Sequence, residues 1–407
     1  MTDLPYAAAG EAPRSADLPT SEHPRRWREW SLNCLVAAFG LTFALGLCEL
    51  LVRLVAPQEL VIKRPDVWRP ADTLGWVHWP NVNTTINTGD RTVRFITDSD
   101  GFRVGTAGRT AGAKRILLLG DSFMEALQVN YEQSLAGLLE QRLTERLHQS
   151  VVVRNTGVGG WDPPQYLMEA RRELARERFD LVLVSVYLGN DIVPQRVEWY
   201  PPRAPAEVHH WRVPQHLTYG ELVDAVLYPF NEFLETRSQL YVFIKNRSDV
   251  LLRRFGLTAK YFPDDLLRQE AGSPRWSVTA QILSDIRDVA RAHGAPALFM
   301  LIPAPAQVES DEVERAVKGF HIDPASVDLT QPDRLLTAAM HPHTLTVWDG
   351  LPDFLKAASA GTRLYGQVSR HLSPEGHELI ERAVEPLVLA QLGAATPLRT
   401  TTAASAR

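Results

Sequence analysis

Residues 116–123 read Ile-Leu-Leu-Leu-Gly-Asp-Ser-Phe. A short apolar run ends in glycine and turns at once into an amphipathic stretch, roughly 122–148, with Leu135, Leu138, Leu139 and Leu143 at helical spacing. That change of period predicts a buried strand feeding directly into a helix. The same alternation recurs downstream. VVVRN (151–155) precedes a charged helical stretch at 164–177, and LVLVSVY (181–187) is a third apolar run. ALFMLIP (297–303) follows a helical pattern at 276–293, and TLTVWD (344–349) precedes a last helix at about 374–392. Short β-branched runs alternating with helices predict an α/β fold, a parallel sheet of about five strands covered on both faces. The expected architecture is a flavodoxin-like three-layer α/β/α domain over 113–392, with its site at the carboxyl ends of the strands.

Upstream, residues 31–48 (SLNCLVAAFGLTFALGLC) form an apolar run of about the length that crosses a hydrocarbon core as a helix. Arg25, Arg26 and Arg28 precede it, with Trp27 and Trp30 at its border. Basic flank, aromatic belt and apolar helix in that order predict a single-pass signal anchor over 30–54 in the inner or plasma membrane. Residues 1–29 would be a disordered cytoplasmic tail, and the remainder would lie on the extracytoplasmic, periplasmic side. Residues 55–112, rich in Asn, Thr, Asp and Gly, predict a small β-rich segment with turns at Thr88-Gly-Asp and Ser99-Asp-Gly. Within the α/β domain, 195–275 breaks the rhythm with Pro, Trp, Tyr and Arg and reads as an insertion that shapes a cleft; 393–407 reads as a frayed tail.

A net charge of −5 and the absence of a basic block give no footing for a nucleic-acid partner. The two cysteines, Cys34 and Cys48, both fall in the apolar run, which excludes a disulfide framework or Cys-rich metal site elsewhere. His209-His210 and His341-Pro-His343 lack a third ligand at a recognisable spacing, and no nucleotide fingerprint occurs. No cofactor or metal is expected, and nothing in the sequence bears on oligomeric state.

Four blocks carry candidate chemistry. Ser122, at the end of the first strand, opens a helix, where it could be a nucleophile or simply the helix N-cap. Asn155-Thr-Gly-Val-Gly159-Gly160-Trp161 follows the second strand and Leu188-Gly-Asn190-Asp191 the third. Glycine there can lend a backbone N–H and asparagine a side-chain donor to a developing oxyanion. His371, just before Ser373-Pro374 and the final helix, is placed to serve as a general base. His377 falls inside that helix and reads as structural.

Gly-Asp-Ser122, Gly160, Gly-Asn190-Asp and His371, in that order, resemble the SGNH hydrolases, or GDSL esterases, over about 115–385. The anchor and the stretch Asp98-Ser-Asp-Gly-Phe-Arg103 are similar to those of bacterial membrane-anchored members. The resemblance implies a Ser122 nucleophile, oxyanion donors at Ser122 N–H, Gly160 N–H and the Asn190 side chain, and His371 as base. It implies ester hydrolysis through a Ser122 acyl-enzyme. The expected substrate is an O-acetyl or similar acyl ester on an envelope or exported polysaccharide, with Trp161 as a sugar-stacking candidate. The same residues would serve an O-acyltransferase. One position departs from the family pattern: the Asp expected two or three residues before the base is Ser369 or Val368. Ser369 or a backbone carbonyl, or Asp349 or Asp353 from a neighbouring loop, could orient His371 instead. A non-catalytic binding or scaffold module is the alternative that this departure motivates.

Overall fold

The computed structural model describes residues 23–56, 66–71, 73–105, 113–193, 234, 237–254, 264–268, 273–309, 313–314, 317–318 and 322–394. Residues 1–22 and 395–407 of the predicted tails and most of the predicted insertion, with Trp199, Tyr200 and Trp211, therefore lie outside the described residues, whereas 23–29, expected to be a disordered tail, begin a helix, and 393–394 end one.

Helix α1 spans His23–Val55, and its stretch Trp30–Val55 is long and apolar enough to cross a membrane. Its large apolar side chains, among them Leu35, Phe39, Phe43 and Leu51, are exposed. Two small antiparallel hairpins follow, β1 (Trp68–Ala71) with β2 (Gly75–His78), and β3 (Asn83–Asn87) with β4 (Thr92–Ile96). Val67, Val82, Ile86, Val93 and Phe95 close a small core beneath them that also takes in Leu127 of the main domain.

The main domain runs β5 (Lys114–Leu119), α2 (Ser122–Glu125), α3 (Leu135–Leu147), β6 (Val151–Asn155), α4 (Pro163–Arg176) and β7 (Leu181–Tyr187). It continues with α5 (Gln239–Arg254), α6 (Pro274–Ala292), β8 (Ala297–Ile302), α7 (Gln331–Met340), β9 (Thr346–Asp349), α8 (Leu351–Ser359) and α9 (Pro374–Ala394). The five strands pair in parallel in the order β6-β5-β7-β8-β9, which is the flavodoxin-like order. Every residue of β8 and all but the last of β7 are buried, because a parallel sheet is sandwiched by its own crossover helices. One layer of core packs beneath α4, α6 and α7. The other packs beneath α3, α8 and α9. The helices α7 and α8 went unread in the sequence.

The amphipathic stretch 122–148 is not one helix. After a single turn the chain enters the left-handed region at Ala126 (φ 55°), passes a 3-10 turn at Tyr131–Gln133 and re-enters a helix at Leu135. The guanidinium of Arg103, 1% exposed, donates to the carbonyls of Glu125 (2.6 Å), Ala126 and Val129 (2.5 Å). It thereby takes the acceptors that a continuing helix would have used.

Helix α1 meets the start of α5 at Glu49. The Glu49 carboxylate accepts from Ser238 Oγ (2.8 Å) and from the N–H groups of Gln239 and Leu240 (both 2.9 Å), the first turn of α5. A carboxylate there is the favoured cap for a helix start.

Two expectations follow from the packing. A Cβ on Gly137, within α3, would lie 2.2 Å from the Tyr131 carbonyl oxygen. In an open helix Gly→Ala gains about 1 kcal/mol; here Gly137→Ala is expected to destabilise by about 1–3 kcal/mol, seen as a lower denaturant midpoint. The second concerns His377 of α9, fully buried, whose Nδ1 accepts from Leu135 N–H at 3.3 Å. Burial pushes its pKa down from 6.5 to about 3, helped by the Arg103 charge. Below pH 6.5 the unfolded chain binds a proton that the folded chain refuses, so stability falls as pH drops from about 6.5 towards 3. His377→Gln is expected to flatten that acid limb, measured as denaturant midpoints at pH 7.5, 6 and 5.

Candidate active site

Helix α2 begins one residue after the Gly120-Asp121 turn at the end of β5. The N-cap is Asp121 and not Ser122: the Asp121 carboxylate accepts from Phe123 N–H at 2.9 Å. With the cap taken, the Ser122 hydroxyl is free to face outward, and His371 Nε2 lies 2.8 Å from it. As the first residue of the helix, Ser122 has an N–H with no intrahelical acceptor, which leaves a donor beside its own oxygen. Gly120 allows the tight turn, since a Cβ there would lie 2.5 Å from Met124 Cγ.

His371 sits in the loop between α8 and α9, with Phe123 tilted against its ring at 5.0 Å between centroids. Its Nδ1 lies 2.9 Å from the backbone carbonyl oxygen of Ser369. A carbonyl only accepts, so Nδ1 carries the proton and Nε2 presents a lone pair to Ser122. The Ser369 hydroxyl does not take part in that contact; it accepts from His371 N–H at 3.4 Å. Asp349 and Asp353 are engaged elsewhere. Asp349 accepts from Leu351 N–H (3.1 Å), and Asp353 from the Trp348 indole (3.1 Å). Both lie near the base in sequence, but their turns direct them into the α8 cap and the Trp348 side chain.

Gly160 has φ +78°, a left-handed conformation that glycine adopts without strain. The adjoining Gly159 is close to the nucleophile: a Cβ there would lie 3.6 Å from Ser122 Cβ and 2.8 Å from Glu125 Oε2. Gly157 has a different task. Its N–H donates to Asn155 Oδ1 (3.0 Å), and a Cβ there would strike the Glu125 nitrogen at 2.5 Å, so its bareness lets this loop lie on α2. Asn190 is exposed at the end of β7, and its side chain lies beside the Asp121 carboxyl. Burial pushes Asp121 up to about 7. Burial also pushes Asp191 well up, with the Asp121 charge adding to it. Asp191 is held by Tyr187 N–H (2.8 Å) and Tyr166 OH (3.0 Å).

Trp161 does not stack on a ligand. It is 2% exposed, within the core, and its indole N–H donates to the Trp76 carbonyl at 3.0 Å. Sequence reasoning missed the residues behind the site that come from the β-rich segment. Trp76 Nε1 donates to the Gly159 carbonyl at 2.8 Å. Glu125, buried in α2, receives Trp68 Nε1 at 2.9 Å and lies 2.6 Å from His78 Nε2. Their only trace in the sequence is a cluster of aromatics in an otherwise polar stretch.

No family model matches the sequence, and no curated protein matches it. Among solved structures, a member of the lipolytic G-D-S-L family from Veillonella parvula is similar at 12% identity and a TM-score of 0.36, covering 68% of this chain and 99% of that one. An acetyl xylan esterase is similar at 11% and 0.36, covering 67% and 99%. The SGNH-family esterase AlinE4 is similar at 14% and 0.32, covering 69% and 98%. Likenesses at this level assign no residue a role. The sheet order makes this chain an α/β protein, whose loops bring Ser122 and His371 together at the carboxyl edge of the five strands.

Proposed function

We propose that the chain is a membrane-anchored serine ester hydrolase acting on acyl esters, with O-acetyl groups of envelope or exported carbohydrate as the substrate class. The observation that carries the reading is the 2.8 Å contact between Ser122 Oγ and His371 Nε2, with the ring tautomer set by a carbonyl on its far side. Such a pair lets the serine attack an ester carbonyl while Nε2 takes its proton. The oxyanion then meets the N–H groups of Ser122 and Gly160 and the Asn190 amide, donors that strengthen as charge develops. Collapse returns the proton to the leaving alkoxide and leaves acyl-Ser122; water, deprotonated by the same imidazole, releases the acid. A sugar hydroxyl in place of that water would make the enzyme an acyltransferase. Anchoring is supported by the apolar span Trp30–Val55, and the basic residues before it favour an extracytoplasmic domain. The carbohydrate assignment follows from that location.

Fluorophosphonate labelling of the full-length chain in detergent is expected to mark Ser122. Labelling should vanish in Ser122→Ala and slow by at least ~10³-fold in His371→Ala. Hydrolysis of an acetylated oligosaccharide, followed as acetate release with and without an acceptor sugar, separates the two fates of the acyl-enzyme. Transfer without acetate release would replace the hydrolase reading.

A further inference from the structure

The loop that holds His371 lacks the acid usual in its family, yet a carboxylate reaches it from the far end of the chain. Asp90, at the tip of the β3–β4 hairpin, accepts from Val368 N–H at Oδ1 (2.9 Å) and from Ser369 N–H at Oδ2 (2.8 Å). Ser369 is the residue whose carbonyl receives the His371 Nδ1 proton. The loop is shaped for this contact. A Cβ on Gly366 would lie 2.4 Å from Asp90 Oδ2, so only glycine leaves room for the carboxylate. Gly366 N–H closes the loop onto the His371 carbonyl at 2.8 Å. Tyr365 and Leu372 bridge its base. Arg370, in the left-handed region at φ +61°, is paired with Glu309 at 2.6 Å.

We propose that Asp90, lent by the β-rich segment, is the positioning residue of the base and takes over the role of the missing acid. It fixes the Ser369 backbone, so that the carbonyl selects the reactive tautomer. It also places a negative charge behind Nδ1, where the imidazolium of the transition state gains from it. A bidentate carboxylate on two successive N–H groups is a strong, directional contact. Its effect is carried through one residue of backbone rather than by direct contact with the ring. The role rests on the hydrolase reading above.

The test measures the rate of fluorophosphonate inactivation of the full-length chain against probe concentration, which separates probe binding from the bond-forming step. Asp90→Asn is expected to slow the bond-forming step at least tenfold with probe binding unchanged, and Asp90→Glu to slow it less. Ser369→Asp, which restores an acid to the loop of the base itself, is expected to recover most of the loss in the Asp90→Asn background. Thermal melts of each variant accompany the rates. A slow Asp90→Asn that Ser369→Asp does not restore would overturn the proposal, leaving Asp90 a loop tie only. So would an Asp90→Asn that reacts at the parental rate while the parent labels normally. A parent that does not label at all would overturn the hydrolase reading, and this role with it.

Discussion

The site depends on one buried carboxylate. Asp121 caps α2 through Phe123 N–H, and the Asn190 side chain lies beside its carboxyl, so the first and third strand ends meet at this one group. A helix start always leaves orphan N–H groups, and serine beside one is usually consumed in satisfying it. Because the preceding residue does that work, Ser122 keeps its hydroxyl for His371. The arrangement is costly: Asp121 is wholly buried, Asp191 lies nearby, and both carboxyls are pushed towards the protonated form.

A second scaffold backs the first. The hairpins of the β-rich segment reach each of three loops: Glu125 and the carbonyls after it through Trp68, His78 and Arg103, the glycine loop through Trp76, and the base loop through Asp90. These are mostly buried polar contacts, and buried polar groups satisfied on all sides fix geometry more than they add stability. Burial lowers the Arg103 pKa to about 10, which still leaves it charged at neutral pH and able to donate to every carbonyl it meets.

The sheet was legible because a buried parallel strand must be apolar on both faces, and 116–119, 181–187 and 297–302 are. The meeting of Ser122 and His371 was legible because one follows a strand and opens a helix and the other precedes the last helix, each at a recognisable motif. The break in the 122–148 helix was not, since leucine spacing persists across it and its cause, Arg103, lies outside the stretch. Helices α7 and α8 are short, 10 and 9 residues, and too brief for a decisive period. Trp161 looked available because sequence gives no burial. Asp349 and Asp353 looked plausible because they are near the base in the chain, whereas Asp90 stands 278 residues from the N–H of Val368 that it holds. Contacts of that separation are set by topology and leave no local pattern.

The order of the elements also bounds how far the main domain can lie from α1. Twelve residues, 56–67, separate the last residue of α1 from the first of β1. Fully extended, that tether reaches about 45 Å at most. The hairpins at its far end are the ones that hold Glu125, Gly159 and Val368, so the Ser122–His371 pair is not held apart from the tethered part. If α1 crosses a bilayer, the Ser122–His371 pair stays within a bounded distance of the lipid on whichever side the domain lies.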